Sequence, residues 1–169
     1  VITTERLLLS PVDPGAAWEL AYGQGGGWLW LGGGPGDGTR GLAGIVARAA
    51  EVGWHRPPWG LYVLVRRADA VAVGSTGFHG PPGGDGSVEI GYDLVPDARG
   101  LGFATEAVRA LVGYAFTHPA VRTVRAVTAQ DNSPSQRVLI RSGFTRSGLD
   151  SEDVDGLVRY RVDRYRVDR

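Results

Sequence analysis

The stretch Arg99-Gly100-Leu101-Gly102-Phe103-Ala104-Thr105-Glu106-Ala107 constrains the fold more than any other part of the chain. A strand-like run, Ser87 to Val95, enters it. A helical pattern leaves it, with apolar residues at Ala104, Ala107, Val108, Leu111, Val112 and Ala115. Glycines between a strand and a helix N-terminus let backbone N–H groups gather with no side chains in the way. The helix dipole adds positive potential at the same point. Such a turn can hold the phosphates of a nucleotide-like ligand. It is not a Walker loop, because no Gly-Lys-Ser/Thr follows the glycines. It is not the dinucleotide fingerprint, because the third glycine is misplaced and no βαβ unit surrounds it. The chain holds 27 glycines, so a turn that merely starts a helix well is the competing reading.

A length of 169 residues suits one domain, 1–169, with a sizeable core. A net charge of zero indicates neither a nucleic-acid footprint nor a membrane-surface patch. The absence of cysteine excludes a disulfide framework, a thiolate nucleophile and a cysteine metal site, and no metal is expected. No secretory signal or long apolar run is visible, so cytoplasmic residence is the default expectation. All 18 basic residues are arginine. A GC-rich coding sequence accounts for this together with the scarcity of Asn and Ile. Avoidance of self-modification at lysine would account for the lysines alone.

Thr4 to Leu9 reads as an opening strand, and Asp13 to Tyr22 as a short helix with Pro14 in its first turn. Gln24 to Gly38 is glycine-dense yet carries Trp28, Leu29, Trp30 and Leu31. Leu42, Ile45, Val46, Ala49 and Val52 give a helical period. Leu61 to Arg66 and Ala70 to Phe78 form a strand pair. Arg122 to Ala129 is a strand, Ser133 to Ser142 a helix, and Phe144 to Ser147 and Leu157 to Val162 close the set. Strands with helices interposed predict an α+β (mixed α/β) sheet flanked by helices. The pentapeptide Tyr-Arg-Val-Asp-Arg occurs in tandem at 160–164 and 165–169, and the second copy carries no weight in this reading.

Asn132 is the single asparagine. Ser133 suits an N-cap, Pro134 the first helical position and Gln136 a capping box, and Gly143 stops the helix. Asn132 is then not needed as a cap. It stands either as an Asx-type turn or as a donor–acceptor pair for a ligand.

Together these segments are specific. Arg-x-x-Gly-x-Ala (Arg99, Gly102, Ala104) resembles the coenzyme A pyrophosphate loop of the GCN5-related N-acetyltransferases (GNAT). Asn132-x-x-Ser135 followed by Val138 to Phe144 resembles their coenzyme-side helix. Val88 to Leu94 resembles their central strand, and Thr4 to Leu9 their opening "Thr-x-Arg-Leu-x-Leu". The combination is similar to the branch that holds the ribosomal-protein-alanine N-acetyltransferases (RimJ/RimL-type), over most of residues 1–162.

The resemblance implies a mostly antiparallel central sheet with a splayed parallel strand pair. Acetyl-CoA would lie in the wedge between the 88–95 and 122–129 strands, with an acetyl group passing to a primary amine of a peptide N-terminus or small molecule. Backbone at Leu94 and Val95 would pair with pantetheine. The N–H groups of Gly100, Leu101, Gly102, Phe103, Ala104 and Thr105 would hold the pyrophosphate, Arg99 would add charge, and Asn132 would bond the pantetheine arm. Ser135 occupies the position of the thiolate's hydrogen-bond donor. A homodimer is also implied.

For the base, Glu89 shares a strand face with Gly91 and Asp93, an arrangement that suggests a cavity rather than packed core. His79 is the second choice, because imidazole titrates near working pH. Trp28 and Trp30 are candidates to grip the acceptor, whereas Trp54 and Trp59 read as core anchors. The acidic run Asp150, Glu152, Asp153 and Asp155 either steers a cationic amine or is a solvated loop. A non-catalytic acyl-CoA-binding or sensing module is the alternative function.

Overall fold

The structure is a computed structural model and describes residues 1–147 and 156–164. Its elements run β1 (Ile2–Thr3), β2 (Leu7–Pro11), α1 (Pro14–Ala21), α2 (Asp37–Glu51), β3 (Leu61–Arg66), β4 (Val71–Phe78), β5 (Ser87–Leu94), α3 (Phe103–Phe116), β6 (Thr123–Ala129), α4 (Ser133–Arg141), β7 (Thr145–Ser147) and β8 (Leu157–Asp163). Among the described residues the strands form one sheet of eight, in the order β1-β2-β3-β4-β5-β6-β8-β7. Every neighbouring pair is antiparallel except β5 and β6.

That parallel pair opens. Its register runs from Ser87↔Thr123 to Ile90↔Ala126 and stops there. β5 continues to Leu94 and β6 to Ala129. β5 stays paired with β4 as far as Gly74↔Leu94, and β6 with β8 as far as Ala129↔Leu157. The two strands are held by their outer neighbours and part from each other, which is the expected splay.

Alternation along β5 sends Val88, Ile90, Tyr92 and Leu94 to one face and Glu89, Gly91 and Asp93 to the other. The first face is covered by α3, whose buried stripe is Phe103, Ala104, Ala107, Val108, Leu111, Val112 and Ala115. Leu111 and Val108 are fully enclosed; truncating Leu111 to alanine costs about 2–5 kcal/mol. The second face is covered by α2, through Ala43, Val46 and Ala47. No helix among the described residues is long and apolar enough to cross a membrane.

Two elements differ from the sequence reading. The opening strand is broken: Thr4, Glu5 and Arg6 form a turn between β1 and β2. A tertiary partner captures this turn, since Thr4 Oγ1 and Arg6 both bind Glu106 of α3. The helix expected around Leu42 to Val52 begins earlier, at Asp37. Its start is capped from a strand: the N-cap residue is Gly36, which has no side chain to offer, and Asp93 Oδ2 accepts the Thr39 N–H at 3.2 Å.

Candidate active site

A cavity of about 450 Å³ lies where β5, the turn before α3 and the start of α4 converge. Tyr92, Leu94, Arg99, Gly100, Gly102, Ala104, Thr105, Asn132 and Ser135 are among the residues that line it. Of the residues selected from sequence for the coenzyme, Leu94, Arg99, Gly100, Gly102, Ala104, Thr105 and Asn132 meet here, although 27 positions separate Thr105 from Asn132, whereas Val95, Leu101 and Phe103 do not line the cavity.

The turn is built on two positive-φ glycines, Gly100 (+77°) and Gly102 (+84°). This conformation costs an L-residue about 1–2 kcal/mol. The first intrahelical bond of α3 is Glu106 N to Gly102 O, at 3.1 Å. The N–H groups of residues 101–105 make no hydrogen bond among the described residues, so five open donors and the helix dipole stand at the turn, of which Gly102, Ala104 and Thr105 line the cavity. The Phe103 ring is buried beneath the Arg6 guanidinium, 4.4 Å from its centroid, so only the main chain of Phe103 serves the turn.

Arg6 clasps this turn. Its Nη1 donates to Leu101 O at 2.8 Å, its Nε to Glu106 Oε1 at 2.9 Å, and its N–H to Glu106 Oε2 at 3.0 Å. Thr4 Oγ1 donates to the same carboxylate at 2.6 Å. Burial works to raise the Glu106 carboxyl, but the bonds from Thr4 and Arg6 outweigh it and hold the group below its ordinary value. The clasp neutralises the one acid in the first turn of α3. The Thr-x-Arg motif carried the signal for it, but its partner a hundred residues away did not show in the sequence.

The ladder fixes which main-chain groups face the gap. His79 N–H donates to Glu89 O and Val95 N–H to Val73 O, so odd-numbered positions of β5 turn toward β4. Even-numbered positions turn toward β6, and past Ile90 that side has no strand partner among the described residues. Tyr92 and Leu94 thus replace the expected Leu94 and Val95 as the main-chain groups at the wedge. Arg99 Nε donates to Leu94 O at 3.2 Å, fastening the strand end to the turn.

Asn132, not Ser133, caps α4. Its Oδ1 accepts the Ser135 N–H at 3.2 Å, and the helix starts at Ser133 with Pro134 behind it. Asn132 is exposed and stands on the cavity wall. Ser135 faces Tyr92, whose phenolic oxygen lies 2.6 Å from Ser135 Oγ and 3.0 Å from Ser135 O. Arg137 and Arg141, one turn apart on α4, line the outer wall without a carboxylate partner among the described residues. Sequence reasoning missed them because arginine is common along this chain.

The Glu89 face is not an open cavity. Asp93 is packed against Gly36 and Gly38, and the space beside Gly91 is filled by His79 Nε2 and Leu42. Glu89 alone opens outward, into a second cavity of about 420 Å³ shared with Arg125, Arg159 and Tyr160. Its Oε2 lies 2.5 Å from His79 Nδ1. That bond, from His79, is the largest influence holding the Glu89 carboxyl below its ordinary value, with Arg125 and Arg159 assisting. A β-carbon on Gly91 would stand 2.9 Å from His79 Nε2. Gly91 is the first residue of β5 beyond its last pair with β6, so the imidazole sits at the mouth of the gap on the α2 side.

Trp30 is a core residue, 6% exposed, with its Nε1 donating to Gly25 O at 2.9 Å; it does not reach the site. Trp28 is half-buried against the same core. Trp59 is an anchor, edge-on to Phe78 at 5.0 Å. Trp54 is not, being 73% exposed beyond the end of α2. The acidic run 150–155 and the second pentapeptide copy lie outside the described residues.

The model of the acetyltransferase (GNAT) domain matches residues 6–145. The chain belongs to the GNAT acetyltransferase family. It is 33% identical over 91 residues to the uncharacterized N-acetyltransferase YoaA of Bacillus subtilis (strain 168), covering 54% of this chain and 50% of YoaA. It is 37% identical over 87 residues to N-acetyltransferase p20 of Bacillus licheniformis, also uncharacterized, covering 52% and 48%. The chain spans about half the length of the curated relatives it matches. Among solved GNAT structures, an acetyltransferase from Agrobacterium tumefaciens str. C58 superposes with a TM-score of 0.66 at 26% identity, over 96% of this chain and 93% of that one. RimL, the ribosomal L7/L12 α-N-protein acetyltransferase solved with coenzyme A, superposes with a TM-score of 0.67 over 96% and 97%, and at 16% identity it shares the fold.

Proposed function

We propose that this GNAT chain transfers an acetyl group from acetyl-CoA to a primary amine, of a peptide N-terminus or a small molecule, by direct attack in a ternary complex. The observation that carries the reading is the parted β5–β6 pair ending beside five unpaired N–H groups at residues 101–105. The diphosphate suits those amides and the two positive-φ glycines. The pantetheine amides suit the main chain of Tyr92 and Leu94, with Asn132 Nδ2 alongside. Arg137 and Arg141 suit the remaining negative charge of the coenzyme.

The amine must be neutral when it attacks and must lose a proton as the N–C bond forms. The His79–Glu89 pair is placed for this at the gap mouth. A carboxylate held low is a weak base, whereas a neutral imidazole whose Nδ1–H is taken by a carboxylate presents Nε2 as an acceptor. His79 Nε2 takes the proton and Glu89 holds Nδ1, which reverses the order of the two candidates drawn from sequence. The main-chain N–H groups at the wedge are the donors available to the thioester oxygen as it gains charge. Ser135 Oγ–H is the donor available to the departing sulfur.

The test is acetyl-CoA consumption, read as free-thiol release, across N-terminal peptides, small amines and aminoglycosides, with acetyl-CoA affinity measured in parallel. Turnover that Glu89→Gln and His79→Gln abolish while affinity stays is the expected result. Tight acetyl-CoA binding with no turnover on any amine marks a binding module instead. Failure to bind acetyl-CoA refutes both.

A further inference from the structure

Tyr92 of β5 and Ser135 of α4 meet across the coenzyme cavity, and both line it. The phenol has one proton and two acceptors in reach: Ser135 Oγ at 2.6 Å and Ser135 O at 3.0 Å. When the proton points at Oγ, the serine's own proton is turned away from Tyr92 and is free for a third group. When it points at the carbonyl, the serine proton turns back onto the phenol. A group on the far side of Ser135 that gains negative charge selects the first arrangement.

Resting on the acetyl-transfer reading above, we propose that Tyr92 is a positioning residue for thiolate departure: its phenol donates to Ser135 Oγ and so aims the Ser135 Oγ–H at the coenzyme sulfur. In that step the N–C bond forms and the C–S bond breaks, and the electron pair leaves on sulfur. The amine's proton goes to the His79–Glu89 pair, and the thiolate takes its proton from solvent. Burial pushes the Tyr92 phenol up to about 12, so it stays protonated and remains a donor. A proton held that firmly is not passed to an alkyl thiolate, the weaker base of the two, so the phenol orients and does not titrate. α4 itself carries no tyrosine, and the fold brings a phenol to its start from β5.

The thiol of bound coenzyme A reports on this directly. The protein has no cysteine, so alkylation of coenzyme A bound to excess protein, followed against pH, measures only the coenzyme thiol. The other charged groups facing the cavity, Asp93, Arg99, Arg137 and Arg141, and Tyr160 near Tyr92, are left untouched. The expected result is a bound thiol pKa below that of free coenzyme A measured in the same way. It should rise by about one unit in Tyr92→Phe and in Ser135→Ala alike, rise no further in the double variant, and stay low in Ser135→Thr. Melting temperatures establish that each variant is folded. An unchanged thiol pKa in folded Tyr92→Phe, or shifts that add in the double variant, overturns the proposal while leaving acetyl transfer intact. Failure of coenzyme A to bind the unaltered protein removes the parent reading and this one with it.

Discussion

Gly91→Ala tests the proton-accepting pair without altering either member. The added methyl would stand 2.9 Å from His79 Nε2 and 3.4 Å from a Leu42 methyl, with Leu42 closing the other side. Ordinary contact needs about half an ångström more, so the imidazole must swing away, and its 2.5 Å bond to Glu89 lengthens or breaks. A hydrogen bond with a charged partner contributes about 1.5–3 kcal/mol. If that interaction is needed only as the amine loses its proton, turnover falls by about ten- to a hundredfold. Gly91, His79 and Glu89 are not among the residues that line the cavity proposed for the coenzyme, so acetyl-CoA affinity should hold within about twofold. The assay is thiol release with the best acceptor from the amine screen, beside calorimetric binding of acetyl-CoA. Gly91→Ala should add little to the defect of His79→Gln, because both remove the same interaction. Full turnover in a folded Gly91→Ala protein would refute the placement of the base, and a loss confined to acetyl-CoA affinity would show that the α2 face of β5 has been misassigned.

Arg6→Ala should raise the KM for acetyl-CoA about fivefold with little change in kcat, and lower the melting temperature by about 2–4 °C for the roughly 1 kcal/mol lost from a half-exposed clasp; steady-state kinetics and thermal melts check both. The depressed Glu106 carboxyl contributes stability that is present above its unfolded value of about 4.3 and is lost as pH falls through its lower folded value, so acid melts of Glu106→Gln should be flatter below about pH 4 than those of the unaltered protein. Asn132→Ala removes the α4 cap at a cost of about 0.5–2 kcal/mol and should weaken acetyl-CoA binding by more than Ser133→Ala does, measured by calorimetry. Arg137→Glu with Arg141→Glu should weaken acetyl-CoA more than dephospho-acetyl-CoA, and should flatten the salt dependence of binding.

Local chemistry wrote much of the site into the sequence. The glycine turn, the apolar stripe of α3 and the Asn132–Ser135 spacing are contiguous features, and each rests on geometry that a short peptide already prefers. What stayed hidden depends on distant partners. Thr4 to Arg6 looks like strand because its residues favour one, yet Glu106 pulls it into a turn. Asn132 was passed over as a cap because Ser133 is an equally good candidate by residue type, and only the helix boundary decides between them. The Glu89 face looked open because Gly91 is small and Asp93 polar; the glycine instead makes room for His79, and the aspartate caps α2 from outside. Trp30 and Trp54 exchanged expected environments, since hydrophobicity alone does not say which ring the sheet covers.

The bond from Arg6 Nε to Glu106 spans a hundred positions of the chain. A growing polypeptide cannot close it until α3 has emerged, by which time β1 to β5 are already made. The glycine turn is therefore braced late during synthesis, and a nascent chain that has not yet reached Glu106 presents those glycines without the clasp from Arg6.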